Sequence, residues 1–389
     1  MPSREFNAVV TKKGAARARS GHPWIFRSDV AEASGEPGDI VRVVDGRGAF
    51  LGRAFYNPKS EITLRIAERQ DTPIDAAWFQ NRLQTALAYR DTLDLYTDAY
   101  RIMHAEADGV PGLIIDRYDD YVVLQIGSAA VERRLEWLLQ ALEERLSPKG
   151  ILLRGDSQSR KREGLESGIR VLHSEVPDEI LVREGSVNYR ARLSSGQKTG
   201  GFLDQRENHL AAGRYASGRV LDVFSYAGGF GLHAAHRADS VECVDASGPA
   251  LELARENAEL NALTNMTFTR SDAFEFLRGQ SDAGETYDTI ILDPPAFAKS
   301  RRDLPKARRA YKEINLRAMK LLSPGGFLIT CSCSFHLSRE VMQDTLRQAS
   351  SDAARPMRVR EWRGQSADHP ELLNIPETSY LKCVVLQAE

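Results

Sequence analysis

Cysteine is scarce in this chain, with four among 389 residues: Cys243, Cys331, Cys333 and Cys383. Four cysteines so unevenly spaced do not make a disulfide framework, and a reducing cytosol is the expected setting. Long apolar runs are missing as well. The longest uncharged stretch near the C-terminal end, Leu321 to Leu337, is interrupted by Pro324, Gly325, Gly326, His336 and several serines. It reads as a buried strand between two loops, and no membrane partner is expected. The N-terminus carries charge from Arg4 onward and has no apolar core segment, so no secretory leader is expected. An excess of one charge is also absent: 52 Lys and Arg stand against 54 Asp and Glu, a net of −2. Bulk charge therefore names no polyanionic partner, and a nucleic-acid surface has to be sought in local clusters.

What is present is length. At 389 residues the chain is long enough for two or three domains. Residues 1–70 hold short β-like runs (Ala8–Val10, Asp39–Val44, Gly48–Phe55, Glu61–Ile66) separated by turn signals such as Asp45-Gly46 and Asn57-Pro58. That pattern predicts a small all-β module. Residues 71–178 change character: a helical pattern over Ala76–Leu95 is followed by strand-like runs at Arg101–His104, Leu113–Asp116 and Tyr121–Ile126. A helix at Val131–Leu146 and a strand at Ile151–Arg154 complete an α+β unit. From 179 to 389, apolar strands alternate with helical patterns. The strands are Val220–Phe224, Ser240–Asp245, Met266–Thr269, Tyr287–Asp293 and Gly326–Cys331. Continuous apolar runs between helices predict an α/β, Rossmann-like domain: a doubly wound, mostly parallel sheet covered on both faces.

Acids recur at the ends of these strands: Asp222, Asp245, Asp272 and Asp293. In an open α/β sheet, ligands bind beyond the carboxyl ends of the strands. One such acid reads as a helix cap; four in register read as a site. The first strand leads into Ser225-Tyr-Ala-Gly-Gly-Phe-Gly231, small residues that let backbone approach a ligand. Asp245 follows Asp222 by the interval expected of a ribose-diol acceptor. Gly229-Phe-Gly-Leu-His-Ala234 also fits G-x-G-x-x-A, the fingerprint of a dinucleotide-dependent dehydrogenase, although Ser225–Gly228 intervene between strand and first glycine.

Three further motifs point elsewhere. Asp222-x-Phe-x-Tyr-x-Gly-Gly-Phe230, Asp293-Pro-Pro-x-Phe297 and Lys198-Thr-Gly-Gly-Phe-Leu-Asp-Gln-Arg206 resemble motifs of the class I S-adenosylmethionine-dependent RNA methyltransferases. The best resemblance is to the bacterial 23S rRNA (cytosine-5) methyltransferase family, which carries an N-terminal PUA domain. Gly21-His-Pro-Trp-Ile-Phe26 resembles its PUA start, and Arg101-Ile-Met-His-Ala-Glu-x-Asp-Gly-x-Pro-Gly-Leu113 its central domain. The resemblance implies a PUA domain at 1–70, a central α+β domain at 71–178 and the methyltransferase domain at 179–389. It implies S-adenosylmethionine held by Thr199, Phe202, Asp204 and Arg206, by Asp222, Ser225, Tyr226 and Gly228 along the methionine, by Asp245 and Ala246 at the ribose, by Asp272 and Ala273 at the adenine, and by Asp293. The implied partner is large-subunit ribosomal RNA, free or in early assembly; a homodimer is left open.

Cytosine C5 is a poor nucleophile until a thiolate adds at C6. Thr330-Cys-Ser-Cys-Ser334 supplies two candidates at the end of a strand. If the strand continued, Cys331 and Cys333 would share a face, with Cys333 further out toward the crevice. Cys333 also matches the family's Ser-Cys-Ser motif and is the expected nucleophile; Cys331, Cys243 and Cys383 are read as core. No metal is expected, because two cysteines and His336 lack a second Cys/His pair. The second cysteine that many relatives carry after Asp-Pro is absent from Asp293-Pro-Pro-Ala-Phe297, so another group or water must assist product release. Asp293 is expected to hold the N3/N4 edge of a flipped-out base, which packs on Pro294-Pro295 or Phe297.

Residues 299–312 hold seven basic side chains against one acid, Asp303. Lys299, Arg301 and Arg302 follow the Asp-Pro-Pro loop at once and are expected to meet RNA phosphates, as are Arg160 and Lys161 in a second cluster, Arg154 with Arg160-Lys-Arg162, which Asp156 interrupts. A third cluster, Lys12, Lys13, Arg17, Arg19, His22 and Arg27, lies in the β module. Two other readings stay open: an exocyclic-amine methyltransferase, in which Asp293-Pro-Pro with Phe297 orients an amine without need of Cys333, and a non-catalytic ribosome-assembly factor that keeps the fold.

Overall fold

The structure, a computed structural model, describes residues 6–298 and 300–389. The chain forms two compact units. One comprises the chain up to Val182 with Ala191–Leu203 and Ala367–Thr378; the other comprises Arg183–Arg190, Asp204–Ser366 and Ser379–Glu389. Among the described residues no helix is long and apolar enough to cross a membrane.

The first unit holds two sheets. In the six-stranded one the spatial order is Trp24–Ile25, Leu64–Glu68, Phe50–Tyr56, Ile40–Asp45, Phe6–Val10, Val30–Ala33. Its ladders are antiparallel except where Phe6–Val10 runs alongside Ile40–Asp45. The all-β reading of this region is corrected by a helix at Lys12–Arg19. Thr11 caps it through its hydroxyl, which accepts the Gly14 N–H at 3.2 Å. Ala15 and Ala18 turn into a core with Val10, Ile25, Val43 and Ile66. The five-stranded sheet runs Ile169–His173, Gly150–Arg154, Tyr121–Ile126, Leu113–Tyr118, Ala99–His104. Helices Ala76–Asp91 and Leu135–Leu146 cover it with Phe79, Leu83, Leu138 and Leu142.

The second unit is built on a seven-stranded sheet. Its strands are β1 (Arg219–Val223), β2 (Ser240–Asp245), β3 (Met266–Arg270), β4 (Tyr287–Leu292), β5 (Leu322–Ser332), β6 (Met357–Arg363) and β7 (Lys382–Ala388). Their spatial order is β3-β2-β1-β4-β5-β7-β6. The first five are parallel; β7 enters antiparallel between β5 and β6. The helices are α1 (Arg206–Tyr215), α2 (Gly229–Ala235), α3 (Gly248–Leu260), α4 (Ala273–Ala283), α5 (Leu304–Leu321) and α6 (Arg339–Asp352). Alternation along the strands explains the layering. Leu221, Val223, Ile290, Leu292 and Leu328 pack with Leu277, Ile314, Ala318 and Leu346 of α4, α5 and α6. Val220, Ile291, Ile329 and Cys331 pack on the other face with Ala212, Phe230, Ala234 and Leu251 of α1, α2 and α3. The order reverses beside β1, and the crevice beyond the carboxyl ends of β1 and β4 is where such sheets take a ligand.

Candidate active site

Between β1 and α2 the backbone takes three left-handed steps, at Phe224 (φ 66°), Tyr226 (φ 49°) and Gly228 (φ 84°). The two non-glycine steps are strained conformations of the kind that cluster at ligand sites. A side chain at Gly231 would meet Cys243 Sγ at 2.7 Å and Asp222 Oδ2 at 3.0 Å, so this position must stay bare. Asp222 is fully buried; its Oδ2 accepts the Gly231 N–H at 2.9 Å. Its Oδ1 is buried with no hydrogen-bond partner among the described residues. Burial pushes this carboxyl up to about 7; the Gly231 amide and His209 oppose the rise, while Asp293 and Asp245 add to it. Ser225 is buried beside it in the turn.

Asp245 is half-buried, and its two oxygens accept the Tyr226 N–H at 2.9 Å and the Ser247 N–H at 2.8 Å. Asp272 is exposed and caps α4, with Oδ1 accepting from Phe274 and Glu275. Each acid thus fixes the local turn and keeps lone pairs for a further donor. Ala246 is exposed and Ala273 buried beside them.

At the start of α1, Gln205 donates from Nε2 to Asp293 Oδ1 at 2.9 Å and accepts from Asn208 at 2.6 Å. Asp204 accepts from the Tyr380 hydroxyl at 2.8 Å, and Arg206 is buried 3.6 Å from the Glu207 carboxylate. Thr199 and Phe202 belong to the first unit. There Thr199 donates to Asp116 at 2.7 Å, Asp116 also pairs with Arg101 at 2.7 Å, and Lys198 lies 4.5 Å over the Phe202 ring.

The sulfur candidates separate sharply. The strand does not run through both cysteines, for β5 ends at Ser332. Cys331 is fully buried opposite Cys383, and burial, with Cys383 adding, pushes its thiol well up. Cys333 lies just past the strand end and is partly exposed. Its turn is held from three sides. The Ser332 hydroxyl donates to Tyr311 Oη at 2.9 Å, and Tyr311 Oη lies 3.0 Å from Ser334 Oγ. The Ala298 N–H donates to Ser334 Oγ, and the Lys382 ammonium donates to the Ser334 carbonyl at 2.7 Å. Ala298 closes the Asp293-Pro-Pro-Ala-Phe loop, in which Pro294 is buried and Pro295 exposed. The Phe297 ring is half-buried among Tyr311 (4.8 Å), Phe274 (6.0 Å) and Phe224 (6.4 Å).

The basic side chains divide. Arg301 and Arg302 are exposed in a single turn ahead of α5, and Lys161 is exposed; Lys299 lies outside the described residues. Further along the same run, Arg308 pairs with Asp344 and Lys312 with Asp352, each at 2.6 Å. Arg160 corrects its sequence reading. It is buried, grips Glu132 with two nitrogens at 2.7 and 3.0 Å, and donates to the carbonyls of Ile126 and Glu166. A buried guanidinium with four of its five N–H groups so engaged is a structural brace, closed to a phosphate.

Sequence reasoning missed Gln205, Tyr311 and Lys382. It also missed a buried trio beside the glycine turn. Glu184 Oε1 lies 2.9 Å from His209 Nδ1 and 3.0 Å from His233 Nε2. Burial alone would raise the Glu184 carboxyl, but the two imidazoles prevail and bring it down to about 2. A side chain on Gly229 would strike the His209 ring at 2.6 Å, so this trio shapes the turn.

Residues 157–370 match the S-adenosylmethionine-dependent methyltransferase family, and residues 8–69 match a PUA-like domain. Ribosomal RNA large subunit methyltransferase I of Tolumonas auensis is 42% identical over 94% of this chain and 95% of its own. The protein of the same name from Vibrio cholerae is 38% identical over 97% and 99%. The chain belongs to this methyltransferase family. Among solved structures, a proposed SAM-dependent methyltransferase from Streptococcus mutans superposes with a TM-score of 0.84 at 21% identity, covering 98% of this chain and all of that one. A proposed methyltransferase complexed with SAH gives 0.85, also at 21%, with the same coverage. Both support the fold.

S-adenosylmethionine is the cofactor of this family. One feature of the site fits such a group: a buried Asp222 oxygen with no hydrogen-bond partner among the described residues, beside the strained turn of Phe224 and Tyr226. The dehydrogenase reading of Gly229–Ala234 falls with the family assignment.

Proposed function

We propose that this methyltransferase forms 5-methylcytosine in large-subunit (23S) ribosomal RNA through a covalent bond between Cys333 and C6 of the base. The observation that carries the reading is the Cys333 turn: a partly exposed sulfur at the end of β5, tied by Ser334 to the loop of Asp293. The relatives' names, ribosomal RNA large subunit methyltransferase I, supply the substrate class. The division of labour is a PUA-like module at 1–70, a central part at 71–178 and the methyl-transfer part at 179–389.

In this reading Asp222, with Ser225, Tyr226 and Gly228, holds the methionine end of the cofactor, Asp222 Oδ1 accepting from its ammonium. Asp245 with Ala246 takes the ribose hydroxyls, Asp272 with Ala273 the adenine, and Asp204 and Arg206 brace the segment that leads into α1. The parts given to Thr199 and Phe202 rest on the resemblance of their motif alone. S-adenosylmethionine supplies an electrophilic methyl group. Asp293, steadied by Gln205, holds the N3/N4 edge of the base, sharing a proton with N3 that offsets the negative charge arriving as the Cys333 sulfur bonds to C6. The activated C5 takes the methyl group; loss of the C5 proton to water then returns the electron pair that expels Cys333. Pro294, Pro295 and the edge of Phe297 face the base, while Lys299, Arg301, Arg302 and Lys161 meet phosphates.

The test is direct. The protein is incubated with labelled donor and ribosomal RNA, and the product nucleoside is identified by mass spectrometry. RNA carrying 5-fluorocytidine should trap a covalent adduct that maps to Cys333. A methylated exocyclic amine as product, or full turnover by Cys333→Ala, would replace this reading with the amine one.

A further inference from the structure

We infer that Lys382 is a positioning residue for the nucleophile: its ammonium, fixed by two main-chain carbonyls, faces Cys333 and holds the sulfur as thiolate. The inference rests on the assignment of Cys333 just given.

Lys382 stands opposite Ser332 in the β5–β7 register. A lysine on a strand ordinarily extends its stem and leaves the charge in water. Here the side chain is buried, and Nζ donates to the Ser334 carbonyl at 2.7 Å and the Tyr380 carbonyl at 2.9 Å. Among the described residues no carboxylate is paired with it, and the carbonyl it holds belongs to the residue next to Cys333. A buried cation without an anion is costly, so an anion at Cys333 settles both groups. Burial pushes the Lys382 ammonium down to about 8, and Cys333 opposes that fall. Among the described residues, Lys382 is the cation hydrogen-bonded to this turn. Tyr311 from α5, its hydroxyl pushed up by burial, is neutral, and so is Cys331, its thiol pushed well up by burial.

The step is a simple ionisation. The S–H bond of Cys333 breaks, its proton passes to solvent, and the lone pair stays on sulfur facing the ammonium. That lone pair then forms the bond to C6.

Thiol reactivity tests this without RNA or cofactor. The full chain is alkylated with iodoacetamide across roughly pH 6 to 10, and modification at Cys333 is followed by peptide mass spectrometry. Lys382→Met should move the midpoint of the rate profile up by about one pH unit, and Lys382→Arg should leave it near wild type. A Lys382→Met profile that overlays wild type overturns the inference, as would equal shifts in both variants. Should Lys382→Met fail to fold by circular dichroism, Lys382→Gln, uncharged but still a donor to the carbonyls, carries the same comparison. Failure of the nucleophile assignment would appear separately, as turnover retained in Cys333→Ala.

Discussion

The Ala298 amide donates to the Ser334 hydroxyl across 3.2 Å, which joins the loop after β4 directly to the turn after β5. Tyr311 sits behind that joint and shares its hydroxyl between Ser332 and Ser334. Tyr311→Phe leaves two buried serine hydroxyls short of a partner, a loss of about 2 kcal/mol in urea unfolding. Adduct formation with 5-fluorocytidine RNA should slow, while cofactor affinity holds. Wild-type trapping rates in this variant would show that the joint is irrelevant to the nucleophile.

Asp222→Asn keeps an acceptor for Gly231 but removes the charge. Cofactor affinity by calorimetry should fall at least about tenfold, the scale of a charge-assisted hydrogen bond. Stability should move the other way. A carboxyl raised to about 7 in the folded chain weakens folding as pH climbs from its ordinary value of 3.8 through 7. The asparagine variant should therefore melt at or above wild type at pH 8. A variant that binds normally removes Asp222 from the cofactor's ammonium.

Cofactor binding should also release a proton. An ammonium placed at Asp222 Oδ1 pulls that carboxyl down from about 7, so near neutral pH binding expels the proton it carries. Affinity should climb as pH rises toward 8. Binding heats in buffers of different ionisation enthalpy would reveal the release, which Asp222→Asn should abolish.

Cys331 and Cys333 stand two residues apart, yet only the second is open to a reagent. Cys331→Ala should still trap 5-fluorocytidine RNA, at some cost in stability from the hole it leaves beside Cys383. Cys333→Ala should trap none. Trapping lost in the first and kept in the second would reverse the assignment.

The two kinds of arginine should respond oppositely. Arg160→Ala leaves Glu132 with Arg170 alone and takes a donor from the carbonyls of Ile126 and Glu166, and should cost about 2 kcal/mol of stability. Replacing Arg301 and Arg302 by alanine should leave unfolding unchanged. It should weaken RNA binding and flatten its salt dependence by about two units of slope.

How far residues alone disclose this molecule depended on how local the forces are. β1, β2 and β4 are legible because strands buried on both faces must be continuously apolar, as Val220–Val223 and Ile290–Leu292 nearly are. The acids that close them were legible for the same reason. The helix Lys12–Arg19 was not, because its buried side is alanine and glycine and its outer side reads as a charge cluster. The Glu179–Glu184 and Val187–Arg192 hairpin was lost among alternating charges. Arg160 and Arg301 look alike in a string of letters; Glu132, 28 residues away, decides that one is a brace. Lys382 met Ser334 across 48 residues, a contact no local pattern announces.

The interleaving of the two units has a practical result. The chain passes between them at residues 182/183, 190/191, 203/204, 366/367 and 378/379. No single cut can liberate a catalytic fragment. A piece starting at 179 would drag along 191–203 and 367–378 stripped of Asp116 and Arg101, to which Thr199 and Asp368 are bonded. Attempts to trim this protein to a minimal enzyme should yield aggregates.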